Sequence, residues 1–155
     1  MEIMVVPKGG GYTVQDKKDR IIYNIKKKSF GGQRYTLHDV SGYELYSLLP
    51  LELGRKPRLR IVLNNQSFLE MQCTSMFLDP SFHCKGDRMT FLLKSLDRRE
   101  FTMIKNDTAI GTIMTRQLVS GDLIYEMVID DKEFDDFYPL FAVAFDKSFG
   151  EINKG

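Results

Sequence analysis

The sequence has no tryptophan, only two histidines and only two cysteines, and each scarcity removes a class of chemistry. A structural zinc site needs four ligands at recognisable spacing, which Cys73, His83 and Cys84 do not supply. A cysteine–histidine catalytic pair fails as well: adjacent residues on a strand point to opposite faces, so His83 is badly placed to activate Cys84. Two cysteines are no disulfide framework. Buried, reduced thiols are the simplest reading, and a bridge between neighbouring strands is the alternative in an oxidising compartment. No G-x-S-x-G hydrolase elbow occurs. Gly9-Gly10-Gly11 lacks the Lys-Ser or Lys-Thr of a phosphate loop and reads as a hairpin. These readings point to no catalytic residues, no metal, no cofactor and no enzyme.

Long hydrophobic runs and a dominant charge are also lacking. The longest uncharged apolar stretch, Phe137 to Phe145, has nine residues, whereas a membrane-spanning helix needs about 20. The N-terminal Met1 to Pro7 has no basic start, long apolar core or small-residue cleavage site of a signal peptide. A cytoplasmic location without a transmembrane segment is the expectation. Basic and acidic side chains number 22 and 21, a formal charge of +1. Long-range attraction to nucleic acid is therefore weak, and no nucleic-acid partner is expected.

What is present is a succession of short alternating runs. Ile21, Tyr23 and Ile25 share one strand face, and Leu59, Ile61 and Leu63 another. Similar runs occur at Tyr12 to Gln15, Tyr35 to His38, Tyr43 to Leu49, Phe68 to Cys73, Met89 to Leu93, Phe101 to Ile104, Ile110 to Met114 and Leu123 to Ile129. Turn formers separate them, among them Gly31-Gly32, Asn64-Asn65, Lys85-Gly86-Asp87 and Asn106-Asp107. Ten or more strands so spaced predict an antiparallel sandwich or barrel, in a single domain over residues 1–155. Tyr12-Thr13-Val14-Gln15-Asp16 returns as Tyr35-Thr36-Leu37-His38-Asp39, and Tyr23 returns as Tyr46 at the same offset. So few copies fit a meander of similar hairpins rather than a solenoid.

The pattern changes once, after the acidic segment Asp130 to Asp136. The following residues are apolar without alternation, and Ala142 and Ala144 favour helix over strand. The expectation is a helix over Phe137 to Phe149. Asp136 caps it, Pro139 sits in its first turn, the acidic residues and Lys147 suit the two ends of its dipole, and Gly150 stops it. Leu140, Phe141, Val143, Ala144 and Phe145 cover every side, so it must be buried all round, inside a closed sheet.

Strands in this order, the Tyr-Thr-x-x-Asp hairpins and the final apolar helix ending in Phe145-Asp146-Lys147 resemble the tubby C-terminal-like group. That group includes the LURP-one-related proteins and the phospholipid scramblases, and the short bacterial LURP-one-like proteins match best in length. The resemblance covers nearly the whole chain. It implies a closed antiparallel barrel of about twelve strands around a buried C-terminal helix, a mainly β fold with one helix. Tubby domains bind phosphoinositides through basic side chains on the barrel surface, scramblases are associated with membranes and calcium, and plant members are linked to defence. This chain lacks the scramblases' cysteine-rich segment, and the tubby phosphoinositide residues do not align one for one. Neither property transfers residue by residue.

If a helix fills the barrel, function falls to the outside. In Arg55 to Arg60, the strand period puts Lys56, Arg58 and Arg60 on one face. Arginine's planar fork matches phosphate oxygens. Lys26, Lys27 and Lys28 form a second cluster, and Arg98-Arg99 a third. Lys56, Arg58, Arg60, Lys26 and Lys28 are the candidate anion or lipid contacts, with an anionic membrane surface or a protein as partner. The bland alternative is that outward charges keep strands soluble and unpaired. The acidic segment lacks the glycine-containing loop of alternating acidic positions that calcium needs, and helix capping explains it better. Two rival classes are a ligand carrier or enzyme with a pocket at a barrel end, and a purely structural interaction module.

Overall fold

The computed structural model describes residues 1–155. Twelve strands precede one long helix. The strands are β1 (Glu2–Lys8), β2 (Gly11–Asp16), β3 (Ile21–Lys28), β4 (Arg34–Asp39), β5 (Glu44–Glu52), β6 (Arg58–Leu63), β7 (Gln66–Ser75), β8 (Asp79–Lys85), β9 (Thr90–Lys94), β10 (Glu100–Lys105), β11 (Thr108–Gln117) and β12 (Leu123–Ile129). A short 3-10 turn, Asp131–Glu133, leads to the helix α1, Pro139–Lys154. Each strand runs antiparallel to its neighbours in sequence, and β1 pairs with β12 through Glu2↔Val128 to Val5↔Tyr125. The sheet is closed, so no strand edge is left to aggregate.

Ten of the strands follow from period two. β1 and β8 do not. In β1, Met4 and Val6 face outward yet are apolar, which blurs the alternation. β8 begins at Asp79-Pro80, and its buried residues, Pro80, Ser81, Phe82 and Cys84, do not alternate with polar ones. Pairing on both sides, to β7 and β9, makes it a strand. The tight turns are local chemistry: Asn64-Asn65 and Asn106-Asp107 all have positive φ, as two-residue hairpins require. Gly11 and Gly111 serve close approach instead. A Cβ would stand 2.2 Å from the Ile25 carbonyl oxygen at Gly11 and 2.3 Å from that of Val128 at Gly111.

α1 enters the barrel at the end where β12 finishes and runs the length of its interior. Leu140 through Phe145 and Phe149 are all fully buried. Phe145 stacks on Phe101 at 3.7 Å between ring centres, while Phe82 packs against Phe145 and Phe149. At the entry, Phe137 gathers Tyr46, Phe68 and Phe91 within 6 Å.

Several expectations about this helix need correction. It starts at Pro139, not Phe137, and Tyr138 is its N-cap without a side-chain capping bond. Asp136 does not cap it. Its carboxylate accepts the Tyr23 hydroxyl instead, because a chain entering a barrel meets wall side chains before solvent. No acidic residue lies in the first turn. Gly150 does not stop the helix, which runs four residues further. A glycine ends a helix only by turning to positive φ, and Gly150 does not. It makes room: a Cβ there would crowd an Asp146 carboxylate oxygen at 3.0 Å. Lys147 lies mid-helix, its ammonium 5.0 Å from the centre of the Tyr35 ring.

Asp146 is the polar fastening of α1. Its two carboxylate oxygens accept the hydroxyls of Tyr12 and Tyr125, at 2.5 and 2.8 Å. This explains the sequence echo. Tyr12 and Tyr35 sit edge to face, 6.1 Å apart, beside the C-terminal half of α1. Tyr23 and Tyr46, their counterparts one strand later, meet the entry segment at Asp136 and Phe137. Burial, then the Asp146 charge and hydrogen bond, push the Tyr12 and Tyr125 phenols far above their usual 10.0.

Ala144→Asp would put an unpaired carboxylate in the barrel centre. The cost is several kcal/mol, comparable with a whole domain's stability of about 5–15 kcal/mol. The expected variant is insoluble or lacks a cooperative urea transition. Asp146→Leu strands two buried phenols at about 1–3 kcal/mol each. Adding Tyr12→Phe and Tyr125→Phe should recover part of that loss in a urea titration. The raised phenol pKa values also fix a pH dependence. Below pH 10 both states keep these protons. Above it the unfolded chain releases them first, so stability falls, by up to about 1.4 kcal/mol per pH unit for each of the two tyrosines. Urea midpoints measured from pH 8 to 11 should be flat and then drop.

Candidate functional site

With α1 inside, the main open cavities lie on the outer wall. One groove of about 590 Å³ crosses β7 to β10, with Leu92 and Ile104 on its floor and Glu70, Gln72, His83 and Lys85 around it. It lies on the side of the barrel and reaches the β10–β11 turn at Asp107, and a smaller pocket of about 250 Å³ lies at the same end, lined by Ser67, Phe68, Asp87, Arg88 and Met89. No group of three histidine, cysteine, aspartate or glutamate side chains comes together in a metal-binding arrangement.

The acidic segment is committed to structure. Asp130 accepts the Lys132 amide at 3.1 Å, Asp131 pairs with the N-terminal amine, and Glu133 lies 3.8 Å from Lys105. Arg98 and Arg99 are also committed. Arg99 donates to the Asn153 carbonyl, the Asn153 amide donates to the Arg98 carbonyl at 2.9 Å, and an Arg98 guanidinium nitrogen donates to the Met76 carbonyl at 3.1 Å. Together they clamp the end of α1.

The remaining candidate basic residues lie on β3, on β6 and in the bend before β6. Lys26 and Lys28 project outward from β3, and Arg58 and Arg60 from β6. Lys56 is not in a strand. It lies in the bend before β6, exposed, because Pro57 has no amide hydrogen to pair at that point. β3 and β6 are separated by β4 and β5, three strand spacings or roughly 14 Å. The strand register nonetheless aligns their charges: Lys28 is opposite Arg34 of β4, and Leu49 of β5 is opposite Arg60. Arg34 therefore joins the row. Sequence inspection missed it, because Arg34 stands alone beside a Tyr-Thr strand rather than in a basic run. Its Nε is buried without a hydrogen-bond partner.

Three of the five candidates are already paired. Arg58 lies 3.5 Å from Glu52, Arg60 is 2.5 Å from Glu70, and Lys28 is 3.2 Å from Glu44. Lys26, Lys27 and Lys56 form no ion pair and are exposed. Exposed pairs contribute about 0–1 kcal/mol, so they open readily to another anion.

Both cysteines are free and buried. They lie on adjacent strands but diagonally, Cys73 opposite Phe82 and Cys84 opposite Met71. Burial pushes the Cys73 thiol up to about 11 and the Cys84 thiol up as well. Neither is available as a thiolate near neutrality. A thiol-specific chromogenic disulfide at pH 8 should titrate neither in the native protein and both after unfolding in guanidinium.

Comparison with known proteins agrees with this architecture. Over 98% of its length the chain superposes on 90% of a protein from Arabidopsis thaliana of known crystal structure, with a TM-score of 0.59 and 13% identity. That likeness speaks to the fold alone. No curated protein matches the sequence. Residues 2–146 match the family described as LURP-one-related, so nearly the whole barrel and helix as far as Asp146 carry its pattern. The chain belongs to the LURP-one-related family.

Proposed function

We propose that this protein is a non-enzymatic barrel that binds an anionic phospholipid surface through its outer wall, using Lys26, Lys28, Lys56, Arg58 and Arg60, with Arg34 beside them. The observation that carries this reading is the filled interior. α1 occupies the space where a barrel of this size would hold a ligand, so recognition falls to the outside. There Lys26, Lys27 and Lys56 are exposed cations without carboxylate partners. Cations at such a surface contribute about 1 kcal/mol each toward anionic lipid.

Co-sedimentation with phosphatidylserine-containing vesicles at low salt tests the proposal, with phosphatidylcholine vesicles as reference. Binding should require the anionic lipid and weaken as salt rises. Lys26→Glu with Lys56→Glu should weaken it by about fivefold per reversed charge or more. Glu70→Gln, which frees Arg60, should strengthen it slightly. Equal pelleting on both vesicle types, or indifference to these reversals, would defeat the lipid reading and favour a protein partner or another anion.

A further inference from the structure

The two ends of the barrel differ in a way that the closed antiparallel order makes easy to read. Successive hairpins alternate between ends. The β1–β2, β3–β4, β5–β6, β7–β8, β9–β10 and β11–β12 turns share the end where α1 finishes. All but the first of these present an apolar side chain to solvent: Phe30, Leu53, Phe77 with Leu78, Leu96 and Val119. Phe30, Leu78, Leu96 and Val119 are 90% exposed or more. At the opposite end only the β4–β5 turn does this, with Val40 and Tyr43. Packing does not ask for large apolar groups at five separate tips, since polar turn formers would serve better.

The balance of charge leans the same way. Lys8, Arg55, Lys56 and Lys154 lie at the end bearing the apolar tips, and Lys26 to Lys28 lead up to it. Four of the acidic side chains there have local partners. Glu52 faces Arg58, Asp97 accepts the Arg99 and Glu100 amides, Asp79 accepts the Ser81 amide, and Asp122 accepts the Ser120 hydroxyl. The other end also carries Lys17, Lys18, Arg20, Lys85, Arg88 and Lys132, but its carboxylates, among them Asp39, Asp87, Asp107, Asp130, Asp131 and Asp135, outnumber them.

We infer that the end of the barrel where α1 terminates is a membrane-inserting face, its hairpin tips entering the headgroup–acyl boundary of an anionic bilayer while the surrounding lysines and arginines contact lipid phosphates. This rests on the lipid reading above and adds orientation and depth to it. Charge complementarity selects the occupant: the cationic rim faces the anionic surface and the acidic end points away. The distribution of the tips argues in the same direction. The apolar groups are spread over five turns of one rim, and a fluid bilayer accepts each one independently. Long basic side chains beside them reach back to the headgroups.

Because both native thiols are buried, single new cysteines can carry an environment-sensitive fluorophore. Labelled Val119→Cys and Phe30→Cys should show a blue shift and rising intensity on phosphatidylserine vesicles, and labelled Val40→Cys at the opposite end should not. The triple variant Phe30→Ser, Leu78→Ser, Val119→Ser should keep the wild-type urea midpoint and bind these vesicles at least tenfold more weakly, with the salt dependence retained. If the wild type binds but the Val119 and Phe30 probes stay silent, or the triple variant binds normally, the inserting face is refuted and surface binding through the basic wall survives. If the wild type fails to bind anionic vesicles at all, both readings fall. Sedimentation velocity without vesicles should show a monomer. An oligomer abolished by the triple substitution would assign the tips to a second copy of the chain and overturn the inference.

Discussion

Burial of an apolar helix inside a closed sheet is the constraint from which the rest of this molecule follows. Neither part is stable without the other. A helix with Phe, Leu, Val and Ala on every side has no face to give to water. A twelve-stranded barrel without a filling would enclose a void or a channel. The inward residues of the strands supply the matching surface, with Phe82, Phe91 and Phe101 against Phe141, Phe145 and Phe149. Hydrophobic burial alone does not fix the rotation or depth of a helix that is apolar all round. Asp146 does, because only one setting gives its two oxygens the Tyr12 and Tyr125 hydroxyls. Buried polar groups must find partners, so a single carboxylate among aromatic residues is a strong positional lock.

The same constraint separates stability from recognition. The inward apolar positions and the helix form one core of 35 residues, with both buried thiols in it. Much of the acidic segment is occupied by the N-terminal amine, the 3-10 turn and Tyr23. What remains free is the outer wall and the two rims. Changes in that region alter charge and contact without touching the core, so a surface property can vary while the barrel persists. The 13% identity to a structure that superposes over almost the whole chain is in keeping with a fold maintained by pattern rather than by particular residues.

Much of this was legible in the chain. Period-two alternation located ten strands, and Asn-Asn and Asn-Asp turns were read where positive φ is needed. The all-round apolar helix was identified from composition and alanine content. The departures from the sequence pattern share a cause. β1 and β8 were hidden because their strand character comes from pairing on both sides, not from their own alternation. Capping by Asp136 and termination at Gly150 are what a helix in solvent would show, whereas this helix begins and continues among wall side chains. In the candidate site, basic runs were visible as runs. The isolated Arg34 was not, since its membership depends on strand register with Lys28. The ion pairs of Arg58 and Arg60 come from residues in other strands and were equally invisible.

The apolar helix with which the strand pattern ends is where sequence and tertiary structure divide most clearly. Its existence, its burial and the closed sheet around it follow from the sequence by itself, because local periodicity and the cost of exposing apolar surface leave no other arrangement. Its limits, its rotation about Asp146, and the gathering of most exposed apolar tips at one end were decided by the tertiary structure. Those features depend on which residues far apart in the chain are brought side by side, and the antiparallel closure of twelve strands determines that.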